Sequence, residues 1–316
     1  MLTGLSLPAI AVLLAAGVLL DLLLGEARRW HPLVGFGNLA YALERWLNRG
    51  PLQFWRGLLA WLLAVVPPVL AATLLCMAGG PAVDALLLYL CIGLRSLRDH
   101  NLPIAQALHS GDLDAARRLT ARIVSRDTAS ASAAELAKAS AESLLENGND
   151  AVFGTLFWFM VAGGPGAVLF RLANTLDAMW GYRTARLLRF GCAAARIDDA
   201  LNYLPARLTA LSYVLLASSM EGKRRAWRCW RAQAPAWSSP NAGPVMSSGA
   251  GALGLALGGP ATYDGDVEQR PPLGSGQPAA AHDIARAWRL VARTTWLWLA
   301  CAGLAAAILT LKDHYA

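Results

Sequence analysis

The sequence predicts an all-α, polytopic integral membrane protein, and three observations carry that reading. Of 316 residues, 56% are hydrophobic and only 16% charged; the mean hydropathy is +0.40; and residues 1–20 contain no charge at all. So few charges cannot clothe a water-soluble domain of this size. A bilayer is the solvent that fits.

Taken in order, residues 5–20 form a first span, long enough at a rise of about 1.5 Å per residue to cross most of a hydrocarbon core. No basic segment precedes it and no small-residue cleavage pattern follows, so it reads as an anchor and not as a cleaved leader. Residues 57–83 are a second span, kinked by Pro67-Pro68, and residues 85–94 a short third. Residues 151–170 are apolar but broken by Gly163-Gly164-Pro165-Gly166, and residues 232–263 are rich in Gly, Ser and Pro. Both read as re-entrant or buried segments, because irregular backbone at membrane depth survives only inside protein or beside a water-filled cavity. Residues 208–220 either pair with 151–170 as a hairpin or lie against the bilayer. A last span at 294–311 carries Trp296 and Trp298 near one end, as an interfacial belt would.

Basic residues set the sidedness. Arg28, Arg29, Arg45, Arg49 and Arg56 follow the first span, the turn at Gly79-Gly80-Pro81 has none, and they recur after the third span as far as Arg293. An excess of Lys and Arg marks the cytoplasmic side, which leaves both termini outside and a large middle region in the cytoplasm. The expectation is a single membrane-embedded domain over 1–316, with a soluble helical insertion at 95–150 and a cytoplasmic Gly/Pro-rich region at 221–293. Within the insertion, residues 112–126 are amphipathic: Leu113, Ala116, Leu119, Thr120 and Ile123 share a face, and Asp112 or Ser110 is the N-cap. A second helix follows at 132–147. No stretch reads as β-rich.

Several function classes are excluded. The net charge is +7, but no Lys/Arg block is interleaved with aromatic residues, so nucleic acid is not the partner. Cys76, Cys91, Cys192, Cys229 and Cys301 stand far apart without a CxxC pair, as packed thiols do. No phosphate-binding P-loop, dinucleotide fingerprint or serine-hydrolase elbow is present. Any nucleotide is held by another kind of site.

The residues able to carry chemistry fall in clusters. Glu142, Glu146 and Asp150 lie at i, i+4 and i+8, a spacing at which like charges cost about 0.2–0.5 kcal/mol per pair. The row is either a Mg²⁺ site completed by substrate phosphates or a solvated acidic face. Arg171, Asn174 and Asp177 follow one apolar run, and Asp198-Asp199 with Asn202 and Arg207 precede another, where charge is costly unless paired or functional. Pairing of Arg196 with Asp199 is the plain explanation for part of this. Arg126-Asp127-Thr128 sets a planar guanidinium where it can grip phosphate. Ser239-Pro240-Asn241-Ala242-Gly243 is a turn rich in donors. The glycines between Gly249 and Gly259 let backbone approach a phosphate or flat macrocycle, or simply allow close helix packing. His31 and His100 stand near membrane boundaries, as interfacial side chains or as a base or ligand.

In order along the chain, these motifs resemble the adenosylcobinamide-phosphate synthase family of cobalamin biosynthesis. The resemblance runs through Asp21-Leu-Leu-Leu-Gly25, His31-Pro32, Leu94-Arg-Ser-Leu97 with His100, Arg126-Asp127-Thr128, Glu142-Ser143, Glu146-Asn147 and Asp150. It continues through Asn174-Thr-Leu-Asp177, Ala195-Arg196, Asp198-Asp199, Asn202-Tyr203, Pro205-Ala206-Arg207, Ser239 to Gly243 and Gly258-Gly259-Pro260. The chain departs from the family pattern at Glu26-Ala27, Ala151, Gly154-Thr155 and Pro244.

The resemblance implies ATP-dependent amide formation between a propionate of adenosylcobyric acid and the amine of 1-amino-2-propanol or its O-phosphate. The setting it implies is the bacterial inner membrane, with the active site cytoplasmic and other membrane enzymes of the late cobalamin pathway as partners. A carboxylate is a poor acyl donor until its oxygen becomes a leaving group, which phosphorylation by ATP provides. In this reading Glu142, Glu146, Asp150 and Asp177 hold Mg²⁺. Arg126, Asp127, Thr128, Asn147 and Asn174 bind the nucleotide phosphates. Asp198, Asp199, Arg196 and Arg207 are catalytic, and His31, His100, Ser239, Asn241 and Gly243 bind substrate. The alternative is a non-enzymatic membrane sensor or assembly protein on the same scaffold.

Overall fold

The computed structural model describes residues 4–26, 31–263 and 265–315. Arg28 and Arg29, used above for sidedness, lie outside the described residues. The chain divides into two compact units that alternate along the sequence: Met1–Gly93, Asp150–Asn202 and Leu299–Ala316 form the first, Leu94–Asn149 and Tyr203–Trp298 the second.

The first unit is helical. α1 (Leu7–Leu24) starts at Ser6, whose hydroxyl accepts from the Ala9 amide, with a proline in the first turn; such a proline gives up only an N–H that the helix leaves unpaired anyway. α2 (Pro32–Leu47) is capped by His31, whose Nδ1 accepts from the Leu33 amide at 3.2 Å. α3 (Gln53–Gly79) contains Pro67 and Pro68, and α4 (Pro81–Cys91) stops where Ile92 turns to extended backbone. α8 (Gly154–Trp180) enters this unit through a π-helical turn at Asn149–Phe153, and α9 (Cys192–Leu216) begins in it, its residues from Tyr203 onward being counted with the second unit. The second unit begins with α5 (Leu94–His109), α6 (Leu113–Thr120) and α7 (Ala133–Gly148). α10 (Met220–Gln233) and α11 (Ala242–Leu253) come next, and α12 (Ala281–Tyr315) closes the chain.

Among the described residues, four helical segments are long and apolar enough to cross a membrane: Leu7–Leu24, Gln53–Gly79, Ala133–Trp180 and Ala281–Lys312. The first, second and last correspond to expected spans. The short third span does not: α4 has 11 residues, which at about 1.5 Å each falls well short of a hydrocarbon core of about 30 Å. The indole N–H of Trp298 donates to Ser212 Oγ at 3.0 Å.

The break foreseen near Gly163 is present. Ala162 and Gly163 leave helical geometry, Gly163 at φ +63, a region open to glycine at little cost. The helix that restarts there has an orphan N–H at Gly164, and the buried Asp84 of α4 accepts it at 2.7 Å. A carboxylate at a helix N-terminus also meets the positive end of the dipole. Replacing Asp84 by Ala leaves that N–H buried and unpaired, a cost of about 1–3 kcal/mol. The variant is expected to lose that much stability, read as a lower thermal midpoint in detergent.

One expectation about the insertion is corrected in detail. Asp112 is indeed the N-cap of α6, its carboxylate accepting from the Ala115 amide, and Leu113, Ala116 and Leu119 pack with Ala107 and Leu136. But α6 ends at Thr120, not at 126, because the chain beyond turns to pair the Asp127 amide with the Thr262 carbonyl at 2.8 Å. The second unit also contains strands that the sequence did not announce. β1 (Leu255–Gly258) lies between β4 (Pro272–Gly274), antiparallel, and β5 (Gln277–Pro278), parallel. β2 (Ala261–Tyr263) and β3 (Asp266–Glu268) form a hairpin. The fold is therefore mostly helical, with two small sheets. α11, from the stretch read as re-entrant or buried, is buried over nearly its whole length.

Candidate active site

In the first unit, Asp198 is the centre of the predicted residues. It lies on α9 and is only 6% exposed. Asn202, one turn on, donates to its Oδ2 at 3.1 Å, and Asn174 of α8 reaches its Oδ1 at 3.4 Å. Burial raises its pKa, the charges of Asp150 and Asp177 raise it further, and the two amide donors pull the other way, leaving it pushed up to about 8. Desolvation and like charge both penalise the ionised form. The structure thus brings Asp150, Asn174, Asp177 and Asp198 of the prediction into mutual influence. Arg196, two residues before Asp198, is exposed, while Asp199 is half-buried. His31 is occupied as the cap of α2.

Glu44 and Arg186 form a bidentate pair, with Arg186 Nη2 to Oε2 at 2.7 Å and Nε to Oε1 at 3.1 Å. Asn48 donates to the same carboxylate and to the Arg186 carbonyl. Glu44 is a buried residue of α2.

The second unit holds a polar hub at Glu142. Arg126 Nη2 donates to Oε2; Arg270 donates to both oxygens, at 3.1 and 3.3 Å; and the Gly258 amide donates to Oε1 at 2.7 Å. Lys138 closes the arrangement on the Gly258 and Pro260 carbonyls. Gly258 sits at φ +71, and a Cβ there would collide with the Pro271 carbonyl, so only glycine can present this amide. Glu142 is therefore not offered to a cation; two guanidinia already neutralise it. Arg270 and Lys138 belong to no motif and were missed, because only the packing of β1 against α7, with β4 paired to β1, gives them a role.

Arg126 also lines a small cavity of about 60 Å³ together with Asp127, Thr128, Ser130 and Lys138. Its Nε is buried with no partner among the described residues. Asp127 accepts from the Gly265 amide, and Thr128 donates to the Arg117 carbonyl. Asn147 donates to Ser143 Oγ, one turn back on α7, and Glu146 is half-buried there. His100, on α5, bonds locally to Ser96.

The Ser239-to-Gly243 turn is organised around Arg207. The guanidinium donates to Asn241 Oδ1 at 2.6 Å and to the Tyr203 and Pro240 carbonyls, each at 2.9 Å, and it stacks on the Tyr203 ring at 3.6 Å. Ser239 Oγ accepts from the Asn241 and Ala242 amides, capping α11. Gly243 has no room for a side chain, since a Cβ would stand 2.7 Å from the Ala234 carbonyl.

As for a metal, no group of three or more His, Cys, Asp or Glu side chains among the described residues stands ready to hold an ion. A site for Mg²⁺ does not need one, since this ion is usually held by one or two carboxylates plus phosphate oxygens. Asp150 and Asp177 are two carboxylates near enough to act together on Asp198.

Four helical segments long and apolar enough to cross a bilayer, with ionisable residues buried among the helices, mark a polytopic membrane protein. The sequence model of the CobD/Cbib proteins matches residues 14–291, and the chain belongs to that family. It is 57% identical over 286 residues to the cobalamin biosynthesis protein CobD of Stutzerimonas stutzeri, covering 89% of this chain and 93% of that protein. The protein of the same name from Chromobacterium violaceum is 55% identical over 315 residues, covering 96% and 99%. The one from Mycobacterium tuberculosis is 38% identical over 283 residues, covering 88% and 90%. No solved structure matches.

Proposed function

We propose that this protein is an ATP-dependent, carbon–nitrogen bond-forming ligase of cobalamin biosynthesis. It joins the amine of 1-amino-2-propanol, or of its O-phosphate, to a propionate of adenosylcobyric acid at the cytoplasmic face of the inner membrane. Family membership supports the pathway. The observation that carries the chemistry is Asp198, buried and held by two asparagines, with burial the first cause of its raised pKa.

An alkylammonium cannot attack an acyl group until it loses a proton. A carboxylate whose pKa stands near the working pH is well matched to take it, and general bases of this kind contribute about 10²–10⁴-fold. Asn174 and Asn202 fix the direction of the accepting oxygen. Asp199 and Arg196 flank the base on α9. Asp150 and Asp177 are the residues that would hold Mg²⁺, which supplies neutralisation of ATP phosphate charge when bound; Glu146 is implied in this role by the resemblance alone. Arg126, lining its small cavity with Asp127 and Thr128, is suited by its planar donors to phosphate, with Asn147 in support. Arg207 orders the turn that presents Ser239, Asn241 and Gly243 to substrate; His31 and His100 are retained as substrate contacts on the resemblance alone.

The test is growth of a strain lacking its own copy, fed cobyric acid and dependent on cobalamin. The wild-type chain restores growth; Asp198→Ala and Glu146→Ala, present in the membrane at normal levels, do not. Growth with Asp198→Ala would remove the chemical core of this reading and favour a non-enzymatic role.

A further inference from the structure

A second cavity in the second unit, of about 690 Å³, adjoins the Ser239-to-Gly243 turn at Arg207 and Pro240, and its tryptophans are absorbed by none of the assignments above. It lies within the volume range of about 300–1,000 Å³ typical of small-molecule sites. Trp227 and Trp230 of α10 and Trp237, beyond that helix, line it, together with Arg207, Arg231 and Pro240. Trp227 is 46% exposed, so core packing does not account for it. Its ring meets that of Trp230 edge to face, with centroids 5.3 Å apart, and the Arg270 guanidinium lies 5.6 Å from the Trp237 ring centre. Arg207 is locked by its three acceptors and by Tyr203, as described. The side of α10 facing inward is small, with Gly222, Ala226 and Cys229 buried; a Cβ at Gly251 of α11 would stand 2.7 Å from Ala226 Cα. Close packing of the two helices leaves the large aromatic residues to the cavity.

From this arrangement we infer that the tryptophan-lined cavity binds the corrinoid macrocycle, with Arg207 and Arg231 as the pair that meets its propionate. The inference rests on the proposed function and names the site of its larger substrate. Indole surfaces provide broad apolar area at low conformational cost. Three of them around an open trough suit a wide, nearly flat ring, where a single purine needs only one platform. An interfacial belt would present its tryptophans to lipid on a convex surface; here Trp237 and Pro240 line the same hollow as the α10 rings. A guanidinium fixed before the ligand arrives pairs with a carboxylate at little further ordering cost.

Equilibrium dialysis of the full-length protein in detergent against cobyric acid, followed by its visible absorbance, tests the assignment. The wild-type protein is expected to bind saturably. Trp230→Ala and Trp237→Ala should each weaken binding about tenfold or more, as truncation of a buried aromatic anchor does, while Trp230→Phe and Trp237→Phe stay within about threefold and show that the fold survives. Asp198→Ala should bind like the wild type. Equal binding by the Trp→Ala variants, or competition by ATP that those variants abolish, would overturn the assignment and leave the proposed function standing. Failure of the wild-type protein to bind cobyric acid at all would overturn both.

Discussion

Asp198→Asn is expected to lose about 10²–10⁴-fold in amide-forming activity, the contribution of a positioned general base, while becoming more resistant to heat than the wild-type protein at alkaline pH. The second half follows from linkage. Asp198 is raised from 3.8 to about 8 in the folded protein. Between those values the folded chain keeps a proton that the unfolded chain has released, so stability falls as pH rises through that window. Asparagine has nothing to ionise and escapes the loss. Measured without divalent cations, the thermal midpoints of variant and wild type should nearly coincide at pH 4 and separate steadily up to pH 9, the variant above. A variant that is inactive and also less stable at pH 9 would mean that the carboxylate is charged and paired in the fold, and that its burial has been misread.

The second large effect is expected at Glu142. Its carboxylate is 2% exposed and holds the buried guanidinia of Arg126 and Arg270 and the amide of Gly258. Taking away one member of a buried ion network leaves the others uncompensated, at a cost of about 3–5 kcal/mol. Glu142→Ala should therefore unfold far more easily, and by the same margin with and without Mg²⁺, because the carboxylate binds protein and not metal. Glu142→Gln, which keeps the shape and one acceptor, should recover part of the loss. A thermal midpoint that differs from the wild type only when Mg²⁺ is added would restore the ligand role expected from spacing.

These two residues also show what the sequence could and could not disclose. The i, i+4 spacing of Glu142 and Glu146 was visible, but the arginines that neutralise Glu142 come from residue 126 and from the strand region near residue 270. No local pattern links such distant positions. The row does not continue to Asp150 in an unbroken α-helix, since Asp150 lies within the π-turn that Asn149 opens. The cluster around Asp198 was better signalled, because charge beside apolar runs is itself a mark of function. Long spans were legible from hydropathy, and the Gly163 break from its glycines and proline.

The strands were not legible. They are two to four residues long, too short for alternation to register, and tertiary pairing decides them. Helix α2 had a usable signal that charge obscured. His31-Pro32 is a cap followed by a first-turn proline, and Phe36, Ala40, Glu44 and Leu47 repeat at helical spacing on its buried face. Asp84 had none, since its acceptor role exists only because the chain breaks 80 residues later.

The central claim is amide formation driven by ATP, and the most direct measurement is product and ADP counted together. Purified protein in detergent, given adenosylcobyric acid, aminopropanol phosphate and Mg-ATP, should release one ADP for each corrinoid amide formed, with neither appearing when the amine or the corrinoid is omitted. Corrinoid amide formed without nucleotide turnover, or no ADP under conditions where both substrates bind, would contradict it.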